Sequence, residues 1–128
     1  MRQSLLRVMI EELGYPKSLI GVEKDLFLLP HLQDKKKERV KRRADILCFA
    51  KDLHPTYPIY PLLLIECKAF SFTEEVIRQV LGYNHFVQAY FVAIANPDEF
   101  LLFVQKENDI EKIPYLPPYE QLIRAAQK

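Results

Sequence analysis

A chain of 128 residues with 18 Lys plus Arg against 17 Asp plus Glu carries a formal charge of +1, and one domain of that length buries about two-thirds of its unfolded surface. Its residues are 49% hydrophobic and 27% charged, with three Gly and nine Pro, which excludes a disordered, collagenous or disulfide-framework chain.

Leu5, Leu6, Met9 and Leu13 recur at helical spacing, and Gly14, Tyr15 and Pro16 supply a stop, so Gln3 to Leu13 is a first helix. Val22 to Leu29 reads as a strand with Val22, Leu26 and Leu28 on one face, and Arg42 to Ala50 as a second. Between them lies DKKKERVKRR, residues 34 to 43. Its Lys35, Lys36, Lys37, Arg39, Lys41, Arg42 and Arg43 against Asp34 and Glu38 give a net +5 and leave the rest of the chain at −4. Such a run at a turn is either a solvated hairpin tip or a phosphate-binding patch.

A proline-containing loop over 51 to 60 leads to the apolar strand PLLLIECK, Pro61 to Lys68, whose composition predicts a central strand covered on both faces. Ser71 or Thr73 can cap a helix from Glu74 to about Phe86, and YFVAIA, Tyr90 to Ala95, follows as another strand. A strand, helix, strand succession of this length predicts a parallel crossover. Asn96, Pro97 and Asp98 then turn into Phe100 to Gln105, an edge hairpin, and Pro118 starts a short last helix ending near Ala126. The predicted fold is α/β, a mixed sheet flanked by helices, with one domain over 1 to 128.

The chemistry concentrates in Asp45, Glu66 and Lys68. Alternation puts Glu66 and Lys68 on one face of their strand and turns Cys67 to the other. An antiparallel register setting Asp45 opposite Glu66 also pairs Ala50 with Pro61 and brings the two acids to about 5 Å at Cβ. Two like charges about 4 Å apart repel by about 4 kcal/mol at an effective dielectric of 20, so a positive group belongs between them. Lys68 supplies one. A hard divalent cation, with the Cys67 carbonyl as a further ligand, is the other candidate, and Mg²⁺ suits such oxygen donors. That chemistry serves phosphodiester hydrolysis. The bland alternative is a structural ion-pair network at a strand end.

RRADILCF followed by PLLLIECKA resembles the bipartite D…ExK motif of the PD-(D/E)xK nuclease superfamily. More specifically, RQSLLRVMIEELGYPKSLIGVEKDL, RRADIL, LLLIECKA and QVLGYNHF resemble the N-terminal nuclease domain of type I restriction enzyme R subunits, over roughly residues 2 to 96. The resemblance implies a restriction-endonuclease-like core (αβββαβ), with Asp45 and Glu66 as metal ligands and Lys68 as the catalytic lysine. It also implies a DNA substrate and Mg²⁺, with Mn²⁺ as a substitute. Gln79 and Tyr83, four apart on one helix face, match the QxxxY motif of related nucleases and are implied to lie beside the metal; otherwise Gln79 faces solvent and Tyr83 fills the core. Members of the superfamily often add an acid from the first helix, where Glu11 and Glu12 stand, although helix-end surface charge is the rival and favoured reading of both. Glu23 on the first strand also fits the family pattern and could position Lys68 or Arg43.

The 128 residues hold no GxxxxGK[ST] motif, so ATP hydrolysis and translocation do not carry over from the resemblance, and substrate choice is left to a separate protein that could supply specificity or motor function, to a DNA structure, or to nothing. The competing function is a nucleic-acid-binding or complex-assembly module that keeps the nuclease fold without turnover. His31, His54 and His85 show no metal-ligand spacing and read as surface or capping residues; Tyr57, Tyr60, Tyr115 and Tyr119 lie near prolines and read as loop packing. Cys48 and Cys67 form no CxxC pair and read as reduced thiols. No apolar run approaches the ~20 residues of a membrane span and the N-terminus lacks a signal-peptide core, so a cytoplasmic location is expected.

Overall fold

The computed structural model describes residues 1–25, 29, 31 and 43–127, with Lys24, Asp25 and Arg43 described by backbone alone. The predicted extension of the first strand through Leu26 and Leu28, and the basic run up to Arg42, lie outside the described residues.

Helix α1 spans Arg2–Glu11, and Gly14 ends the turn after it at φ +75°, a left-handed conformation that only glycine adopts without penalty. Strand β1 is Ile20–Asp25, β2 Arg43–Lys51 and β3 Ile59–Cys67. Helix α2 is Glu74–Val87, started by Thr73, whose Oγ1 accepts the Val76 N–H at 3.2 Å. Strands β4 (Phe91–Ala95), β5 (Phe100–Gln105) and β6 (Ile110–Ile113) follow, then α3 (Tyr119–Ala126).

Among the described residues six strands form one sheet in chain order, antiparallel except where β4 runs parallel to β3 after the α2 crossover. The sheet is mixed, as the crossover requires. β5 is not the edge strand expected from the sequence: the turn after Gln105 returns the chain, and β6 covers it. Ile110–Ile113 reads IEKI, too short and too charged to carry a strand pattern by itself.

Each face of the sheet is covered. Leu47, Leu64, Val92 and Ile94 pack with Val80, Phe86 and Val87 of α2. Ile46, Cys48, Leu63, Ile65 and Ala93 face the other way, packing with Met9 of α1 and Leu122 of α3. Both faces of β3 are therefore dry, which is why its sequence is apolar without alternation. The Tyr15 hydroxyl donates to the Pro117 carbonyl at 2.7 Å, and the Tyr119 N–H to the Leu13 carbonyl at 2.9 Å, fastening α3 to the end of α1.

The register between β2 and β3 departs from expectation at one point. Ile46 pairs with Ile65, Leu47 with Leu64 and Cys48 with Leu63, but a bulge between Cys48 and Phe49 shifts the ladder. Ala50 accordingly pairs with Tyr60, not Pro61, and the loop shortens to 52–58, closed by the Asp52 N–H on the Pro58 carbonyl at 2.8 Å. Pro61 lies beside the bulge and has no N–H to give to a regular ladder.

Candidate functional site

The ladder beyond the Ile46–Ile65 pair runs toward Asp45 and Glu66, on the side of the bulge where the expected register holds. Asp45 has the facing of Leu47, and Glu66 that of Leu64, so both carboxylates belong to the face covered by α2. One Asp45 oxygen, Oδ2, accepts the Cys67 N–H at 2.9 Å. Glu66 is 2% exposed, and among the described residues it is the buried charged side chain. Opposed residues of an antiparallel pair have Cβ atoms about 5 Å apart, where two full charges repel by about 3 kcal/mol at an effective dielectric of 20.

Lys68 continues the line. Its N–H donates to the Ala95 carbonyl at 2.7 Å, extending the pairing of β3 with β4 by one residue and keeping Lys68 on the face of Glu66. Both residues line a cavity of about 360 Å³, roofed by α2 through Gln79, Tyr83 and the apolar Val80 and Phe86. The pair Gln79 and Tyr83, singled out by spacing, thus meets the acid and the lysine in one place. Burial raises the Tyr83 phenol well above the usual tyrosine range, and the negative charges of Glu66 and then Asp45 raise it further, so it stays a neutral donor.

Cys67 points to the opposite face, where burial, then Asp45 and Glu66, push its thiol up to about 11, partly offset by Arg2 and the N-terminal ammonium. What it turns toward the acids is backbone. The first helix therefore presents its N-terminal end, with Arg2, to this end of the sheet. Glu12 closes the other end of α1 and lines a separate hollow with Pro118 and Tyr119, so the structure does not bring it to Asp45 and Glu66. Glu11, in the last turn of α1, is exposed.

Glu23 falls opposite Asp45 in the β1–β2 register, between Val22–Ile46 and Lys24–Ala44, but its φ of +52° interrupts the ladder there. Its Oε1 accepts from Arg2 Nη1 at 3.3 Å, which ties β1 to α1. Arg2 carried no signal in the sequence, because an arginine at a helix start is usually surface charge. Lys35, Lys36, Lys37, Arg39, Lys41 and Arg42 lie outside the described residues; the segment that holds them leaves β1 after Asp25 and enters β2 at Arg43, which pair with each other. It is anchored two residues from Asp45.

His54 is a capping residue, as expected: its Nδ1 accepts the N–H groups of Thr56 and Tyr57 at 3.0 and 3.2 Å. Its ring stacks on Tyr60 at 4.2 Å within a cluster that includes His31, Tyr57 and Tyr90. That cluster forms at the far end of β3 from Glu66.

A mixed sheet with the α2 crossover, carrying two acids and a lysine where β2 begins and β3 ends beneath that helix, defines an α/β protein with a restriction-endonuclease-like core. The family model described as type I restriction enzyme R protein N terminus matches residues 1–117, and the chain belongs to that family. Comparison with curated proteins and with solved structures returned no match.

Proposed function

We propose that this chain is a Mg²⁺-dependent nuclease domain of the PD-(D/E)xK type that hydrolyses DNA phosphodiester bonds. The observation that carries this reading is the convergence of Glu66, Lys68, Gln79 and Tyr83 on one cavity, with Asp45 facing the same side of the sheet.

The donor set fits a hard divalent ion. Two carboxylates and the Cys67 carbonyl are oxygen donors that suit Mg²⁺, which keeps several of its waters. Mn²⁺ has the same preference for oxygen. Such an ion supplies positive charge at the phosphoryl oxygen and eases deprotonation of the attacking water. The chain's own residues do the rest. The Lys68 ammonium orients the water and balances the charge that develops on the phosphoryl oxygens. The exposed Gln79 amide donates hydrogen bonds to the phosphate backbone and the neutral Tyr83 phenol, its oxygen buried, supports the catalytic residues, while Lys35, Lys36, Lys37, Arg39, Lys41, Arg42 and Arg43 neutralise neighbouring phosphates without reading bases.

The test is conversion of supercoiled plasmid and single-stranded DNA by the purified chain with Mg²⁺ or Mn²⁺, against Asp45→Ala and Lys68→Ala. Metal-dependent cleavage lost in both variants supports the reading. Cleavage that survives in both rejects the site, and salt-sensitive binding without cleavage in the wild type favours a binding module. Reversal of Lys35, Lys36 and Lys37 to Glu is expected to lower affinity on any DNA sequence and flatten its salt dependence.

A further inference from the structure

Gln79, Gly82, Tyr83 and Phe86 recur at the three- and four-residue spacing that aligns side chains on one stripe of a helix, and all four line the cavity that holds Glu66 and Lys68. Gly82 is the position on that stripe without a side chain. It stands well inside α2, where glycine is the poorest helix former apart from proline. Backbone geometry does not call for it, since positive φ among the described glycines belongs to Gly14. Packing does not call for it either: no heavy atom lies within 4 Å of the point a Cβ would occupy.

The gap is open and exposed, flanked by the amide of Gln79 and the ring of Tyr83, and it leads to a buried carboxylate and a lysine. We infer that Gly82 is a clearance position, over which the sugar–phosphate backbone of a bound polynucleotide passes on its way to Glu66 and Lys68. This rests on the nuclease reading above. A polyanionic strand suits the gap because Lys68 lines the cavity behind it and the stripe positions nearest Gly82, namely Gln79, Tyr83 and Phe86, carry no negative charge. A side chain at 82 would stand in the strand's path.

The experiment is a steric series in the full chain, Gly82→Ala and Gly82→Leu, read by thermal melting and by steady-state cleavage of a labelled duplex with Mg²⁺. Both variants are expected to melt above the wild type, Gly82→Ala by about 3–5 °C, because a better helix former replaces glycine. Against that gain, KM for DNA is expected to rise about tenfold in Gly82→Leu, with a smaller rise in Gly82→Ala and kcat within about twofold. Higher melting with unchanged KM in both variants overturns the inference while leaving the nuclease reading intact. A wild-type chain that neither binds nor cleaves DNA removes both together. A purely structural role for Gly82 predicts lower melting in both variants, which also overturns the inference.

Discussion

The carboxylate of Asp45 holds the backbone N–H of Cys67 at 2.9 Å, so one acid clamps the strand that carries the other. The side chain takes this amide just past the Ile46–Ile65 pair. Asp45 thus has a structural duty and a charge, and the two can be separated by substitution.

Asp45→Asn keeps an oxygen able to accept from Cys67, whereas Asp45→Ala leaves that N–H without it. Urea denaturation is expected to find Asp45→Ala less stable than Asp45→Asn by about 1–2 kcal/mol. Cleavage should fall by about a hundredfold or more in both, since neither retains the negative charge. Equal stabilities would mean that the amide is satisfied without residue 45.

Glu66 is buried and faces another carboxylate, so its charge is held at a cost. Glu66→Gln removes the charge and keeps the shape, so it is expected to lose cleavage while the chain still unfolds in one cooperative urea transition. Cleavage retained in Glu66→Gln would mean that the charge of residue 66 is not needed for the chemistry.

Alkaline pH should loosen the fold through Cys48. Burial pushes its thiol up to about 12 from an ordinary value of 9.0. Between those values the unfolded chain has released the proton and the folded chain retains it, so the folded state binds more protons and stability falls as pH rises. The limiting slope is about 1.4 kcal/mol per pH unit for one such group. Denaturation of the wild type and Cys48→Ala at pH 8, 9.5 and 11 checks this: the variant, though less stable at pH 8, should lose less over the series.

The loop cap at His54 should be replaceable by chemistry alone. His54→Ala removes the acceptor for the Thr56 and Tyr57 N–H groups and should lower stability by about 1 kcal/mol. Asn, which caps turns of this kind with its side-chain oxygen, should restore part of that loss. DNA cleavage should change in neither, because the loop joins β2 and β3 at their ends remote from Glu66.

Much of the fold was legible because its signals are local. The apolar run of β3, the Thr73 cap with Glu74 and Glu75, and the stop at Gly14 each depend on a few neighbouring residues. Strand β6 was not legible: IEKI is held by its ladder to Leu102, Phe103, Val104 and Gln105, a partner its own pattern does not announce. The bulge at Cys48 was hidden for a similar reason, since a register slip belongs to two strands at once.

For the candidate site the division is sharper. The residues alone determined which side chains are acidic, basic or amide, and the two-residue alternation of a strand put Glu66 and Lys68 on one face and Cys67 on the other. Only the tertiary structure decided that α2 lays Gln79 and Tyr83 over them, that α1 brings Arg2 rather than Glu12 to this end of the sheet, and that Gly82 leaves the cavity open. The direction of a helix across a sheet follows from which apolar stripe packs on which face, a property of the assembled core that no single segment contains.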